Sequence, residues 1–186
     1  MEIVSTGLSR WESKTQWPPL LAQRSQSETM IDWAAVCDVA TQIHGTPCGL
    51  GPINFGGVHM IRQIRVFEDD VRWIIRIPMP RSIINKDQSF RIANRDEYWA
   101  RERREGMEIE LYTMKYVREH STIGPVPEVF AFDSTVDNPI AAPYMFMECV
   151  MGNAITDLTS WSEIPVERVA KIHTAMAKFQ VLLPTV

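Results

Sequence analysis

The chain of 186 residues is long enough for one average domain, or for a small domain and part of another, and 45% hydrophobic with 23% charged residues suits a packed core in water. A net charge of −4 argues against a general binder of nucleic acid or anionic membrane, and no apolar run approaches the roughly 18 residues of a spanning helix. Cys37, Cys48 and Cys149 form no Cys-x-x-Cys pair or zinc spacing; their odd number, with no apolar leader in the first residues, fits a reducing compartment, so a cytoplasmic location is expected.

Residues 1–28 are polar and read as a loosely ordered arm. Thr29 is placed to cap a helix running to about His44, in which Ile31, Ala35, Val39 and Ile43 recur every four residues beside Val36 and Ala40. Gly45, Pro47, Gly49, Gly51 and Pro52 then break the chain. Gly56 and Gly57 form a turn between short extended segments. Paired glycines let backbone N–H groups approach a phosphate, and they serve a plain hairpin turn equally well. The strand after them reaches Phe67 with Met60, Ile64 and Val66 on one face, a pattern that Arg62 interrupts.

Beyond the acidic turn Glu68-Asp69-Asp70, a clear strand runs from Val71 to Ile77. Val71, Trp73, Ile75 and Ile77 share one face, and Arg72, Ile74 and Arg76 the other. Pro78 and Pro80 end it, and residues 79–95 are polar and irregular. A helix from about Asp96 to Glu119 carries the stripe Met107, Leu111, Met114 and Val117. Glu110 falls inside that stripe, where a carboxylate needs a cation, and Arg76 is the obvious one; at the stripe's edge it would reach water instead. Pro125-Val126-Pro127 precedes a strand over Val129–Phe132 and a connecting loop. Pro143 to Val150 is so apolar that it reads as a strand buried on both faces, leading to Gly152 as a hinge between two lobes or an ordinary loop. The last element is a helix from Pro165 to about Leu183 with the stripe Val169, Ile172, Met176, Phe179 and Leu183.

In this order and spacing the motifs resemble the small lobe of the protein-kinase-like fold, in its aminoglycoside phosphotransferase and choline kinase branch, nearest the fungal-type members, over about residues 30–186. The carriers are the Gly56-Gly57 turn, Trp73-Ile74-Ile75-Arg76-Ile77-Pro78, the helix segment from Glu110 to Glu119, Pro125-Val126-Pro127, and Pro143 to Glu148 with Gly152. The resemblance implies an α+β fold: a kinase-like small, nucleotide-binding lobe over residues 29–150, with an antiparallel sheet of about five strands and one helix. Residues 151–186 would be the hinge and the truncated helical start of a large lobe. It also implies ATP as cofactor. Gly56 and Gly57 would lie over the phosphates, and Arg76 would contact them while paired with Glu110. Glu148, through its carbonyl, and Val150, through its N–H, would bind adenine. Val58 or Met60, with Ile74 and Phe146, would wall its pocket. Asn54 departs from the family's Gly-x-x-Asn spacing because it precedes the glycines.

Phosphoryl transfer needs a base and carboxylates for magnesium. None of the four histidines begins a His-x-Asp, and Ile31-Asp32-Trp33, which mimics the family's metal segment, precedes the small lobe and reads as the start of the first helix. The expectation is therefore the ATP-binding lobe of a small-molecule kinase, inactive alone, with magnesium held only once a large lobe is present. The alternative is a non-catalytic module that binds a partner, or itself, through its last helix. An enzyme built on Cys149 or a histidine has no supporting constellation.

Overall fold

The computed structural model describes residues 28–56, 58–68, 71–79, 95–120, 126–151 and 164–182. The expected arm over 1–28 apart from Glu28, Gly57, the irregular stretch 79–95 apart from Met79 and Arg95, Pro125 and the joint at Gly152 lie outside them. The described elements run α1 (Trp33–His44), β1 (Cys48–Phe55), β2 (His59–Val66), β3 (Arg72–Pro78), α2 (Arg95–His120), β4 (Val129–Asp133), β5 (Tyr144–Glu148) and α3 (Val166–Leu182). The five strands form one antiparallel sheet in the order β1-β2-β3-β5-β4, so the fold is α+β.

α1 starts later than Thr29 suggests. Asp32 is its cap, its carboxylate accepting 3.0 Å hydrogen bonds from the N–H groups of Ala34 and Ala35. A charged acceptor that satisfies two orphan donors and meets the positive end of the helix outcompetes a hydroxyl placed further out. Gly45 closes the helix at φ 85°, a conformation that suits glycine.

The second difference is β1, where the glycines and proline lead the sequence to read a break. The strand survives because Gly51 and Pro52 together oppose the single residue Gln63, in a bulge between the pairs Leu50–Ile64 and Ile53–Arg62. On a strand at the end of the sheet, the missing N–H of Pro52 is tolerated there. The glycines answer close approach rather than a turn: a Cβ on Gly51 would come within 2.9 Å of Gln63, and one on Gly49 within 2.6 Å of the Phe67 ring.

One face of the sheet carries the main core. Val36 and Ala40 of α1 pack with Met60, Ile64, Trp73, Ile75, Ile77, Tyr144 and Phe146. Ile140 from the β4–β5 connection joins them, and Trp73 stacks on Phe130 with ring centroids 4.3 Å apart. Arg62, the interruption in β2, is absorbed at the rim: its guanidinium lies 4.4 Å from the Trp33 ring centroid and its Nε donates to the Gly51 carbonyl at 3.2 Å. Across the sheet, Leu111 and Met114 of α2 pack on Ile74, Val129, Phe132, Met145 and Met147. On α3, Val169 and Ile172 are half-buried and Met176 is exposed; the side chain of Phe179, and Leu183, lie outside the described residues. Among the described residues no helix is long and apolar enough to cross a membrane.

Candidate functional site

The face under α2 is where the polar groups gather. The alternation of β3 puts Arg76 on it with Ile74, and the registers confirm the neighbours: Arg76 pairs with Ile61 on β2 and with Met145 on β5. α2 brings Glu110 down beside Leu111, and Arg76 Nη1 donates to Glu110 Oε1 in a hydrogen-bonded ion pair. The two keep 22% and 35% of their side-chain surface. At that exposure the pair is partly shielded from solvent screening.

His59, the first residue of β2, completes the group. Arg76 Nη2 lies 3.2 Å from each of its ring nitrogens. Burial first, then the Arg76 cation, push the imidazole down to about 4, against the opposing pull of Glu110. The ring is therefore neutral at physiological pH. The His59 carbonyl also accepts a 2.8 Å bond from the Gly56 N–H, which closes the turn between β1 and β2. His59, Arg76 and Glu110, with Pro78, Met107 and Met145, line a shallow, closely packed depression.

The same face holds one unusual polar side chain further along β2. Gln63 is 1% exposed; among the described residues its Oε1 has no hydrogen-bond partner, and its Nε2 donates to Cys149 Sγ at 4.0 Å. Its cross-strand neighbour is Ile74. Cys149 is buried, and burial pushes its thiol up, so it is protonated at neutral pH and a poor nucleophile.

The exit of β5 is firmly tied. The Glu148 N–H donates to the Glu128 carbonyl at 2.8 Å, and the Cys149 N–H to the Arg72 carbonyl at 3.2 Å. The Glu148 carboxylate accepts from the Glu128 N–H at 3.2 Å and lies 3.8 Å from Arg118, which also pairs with Glu128 at 3.0 Å and donates to the Val126 carbonyl. The end of α2 thus fixes the end of β5.

Of the residues singled out in the sequence, Arg76, Glu110 and Ile74 share one face, with Gly56 and exposed Val58 at its turn and Glu148 and Val150 at the exit of β5. Phe146 does not join them. It is wholly buried on the α1 face with Met60, the alternative to Val58 as a pocket wall. The side chains that occupy the Arg76 face instead are His59, Ile61, Gln63, Met145 and Met147. The signal for them is register: counting by two along the β2–β3 hairpin from Arg76 reaches Ile61, Gln63 and His59.

No family model matches the chain, and no solved structure matches it. It is similar to a subtelomeric hrmA-associated cluster protein in each of two strains of Aspergillus fumigatus, at 34% identity over 71 residues. Those residues are 38% of this chain, and the match spans only 13% of the length of either relative.

Proposed function

We propose that this chain is the nucleotide-binding small lobe of a small-molecule kinase: an ATP-dependent phosphotransferase acting on a hydroxyl, of the aminoglycoside phosphotransferase and choline kinase type. The observation that carries the reading is the Arg76–Glu110 pair, which joins β3 to the helix inserted between β3 and β4. The registers add support, because they set that pair near the β1–β2 turn, with the tied exit of β5 opposite Trp73, three residues back along β3. In this reading the phosphates of the nucleotide lie between Arg76 and Gly56, and the base lies toward Ile74, Met147, Glu148 and Val150. A part-exposed guanidinium is suited to an anionic group. Bound ATP supplies the phosphoryl group to be transferred. The residues of this chain hold and orient the nucleotide: Glu110 keeps Arg76 aimed, and the Arg118–Glu148 contact fixes the segment that meets the base.

The described residues do not fit a magnesium ion equally well. Glu110 is engaged by Arg76 and is the one carboxylate lining the depression. With no His-x-Asp in the 186 residues, the chain alone is proposed to bind nucleotide without transferring phosphate. The test is ATP affinity by calorimetry on the purified chain. Arg76→Ala should weaken it at least about tenfold while leaving the fold intact; a parent chain with no measurable ATP affinity sinks the reading. A second reading, a non-catalytic interaction module, rests on exposed Met176 beside half-buried Val169 and Ile172 on α3, and is favoured by a stable self-complex without nucleotide affinity.

A further inference from the structure

We propose that His59 is a positioning residue: a neutral imidazole that holds the free side of the Arg76 guanidinium, so that Arg76 meets the phosphates of a nucleotide already aimed. This rests on the nucleotide-binding reading above and names a residue that the motifs in the sequence did not.

The geometry points to it in three ways. First, Arg76 is held at two sites, Nη1 by Glu110 and Nη2 by His59. A guanidinium fixed at one corner still swings, and one fixed at two is oriented. Second, Nη2 is 3.2 Å from both ring nitrogens, so the guanidinium meets the ring between them and the contact does not depend on which tautomer the ring adopts. Third, the backbone of the same residue closes the turn through the bond from the Gly56 N–H. His59 therefore links the turn and the cation that are proposed to enclose the phosphates.

The role requires a neutral ring, since an imidazolium would face Arg76 as a second cation. The charged groups around it are Arg76 from β3 and Glu110 from α2; the other residues lining the depression, Pro78, Met107 and Met145, do not titrate. Arg76 and burial outweigh Glu110, which keeps the ring neutral through the physiological range.

The experiment compares ATP and adenosine affinities for the parent chain, His59→Asn, His59→Leu, Arg76→Ala and the double variant His59→Leu/Arg76→Ala. His59→Leu should weaken ATP about tenfold and leave adenosine unchanged, since adenosine has no phosphate for Arg76. His59→Asn, which keeps an acceptor, should stay close to the parent, and His59→Leu should add nothing once Arg76 is gone. An unchanged ATP affinity in His59→Leu overturns the proposal, as do equal losses for ATP and adenosine, or losses that add in the double variant. A parent chain that binds no ATP overturns the nucleotide reading itself, a result distinct from a parent that binds ATP and is indifferent to His59. Nitrogen NMR of the imidazole in the parent gives a measure independent of how the variants fold: titration well below the ordinary histidine range is expected, and titration near 6.5 overturns the proposal.

Discussion

The two faces of the sheet are built to different rules. Under α1 the core is apolar, with Arg62 held at its rim, and Val36, Ala40, Ile64, Ile75, Ile140 and Phe146 are wholly buried. Under α2 a smaller apolar cluster of Leu111, Met145 and Met147 sits beside an ion pair, a neutral histidine and an amide with an orphan oxygen. Buried polar groups add little net stability and are costly when imperfectly paired. The α1 face therefore carries the stability of the fold, which leaves the α2 face free to hold groups in positions that serve recognition.

The sharpest way to break this contrast is Phe146→Ala. Removing a fully buried aromatic side chain from the α1 face should cost about 3–5 kcal/mol in denaturant unfolding. At temperatures where the variant is folded its ATP affinity should match the parent's, because Phe146 faces away from Arg76. A variant that keeps its stability and loses nucleotide would reverse the assignment of the faces. Glu110→Ala probes the other face. Both partners are part-exposed, so its cost to stability should be about 1 kcal/mol or less, and ATP affinity should fall because Arg76 loses its anchor. A loss of several kcal/mol would mean that the α2 face is structural after all.

A third expected effect is on pH dependence. His59 binds a proton less readily in the folded chain, at about 4, than in the unfolded chain, near 6.5. The unfolded state thus takes up protons first as pH falls. The contribution is fully present above about 6.5 and is lost progressively toward 4. His59→Leu should flatten that part of the stability curve relative to the parent, as read from denaturant melts at intervals of pH; parallel curves would place His59 in ordinary solvent.

Much of this arrangement was legible in the sequence where one periodicity dominates. The alternation from Val71 to Ile77 placed Arg76 on its face, and the stripe of α2 turned Glu110 inward, so the ion pair could be anticipated across 34 residues. β5 resisted the same treatment. Tyr144, Met145, Phe146 and Met147 are all buried, so hydrophobicity does not say which pair looks toward Arg76. Only the cross-strand pairing with β3 separates them, and that turns Met145 and Met147, not Phe146, to the α2 face. β1 was hidden for a different reason: Gly49 and Gly51 are demanded by what lies across from them, Phe67 and Gln63, far along the chain. The helix cap was misplaced because Thr29 and Asp32 both carry capping oxygens, and local backbone geometry, not sequence, chooses between them.

The irregularity of β1 also bears on how the sheet ends. β1 is an outer strand, and an outer strand presents unpaired backbone groups that can recruit a strand from another molecule. Here that row is spoiled in its middle. Pro52 offers no N–H, and the bulge it shares with Gly51 twists the strand out of register with any straight newcomer. At the opposite margin β4 is only five residues long. Both margins are thus poor templates for cross-strand growth, so contacts between copies of this chain would have to be made through side chains rather than by extending the sheet.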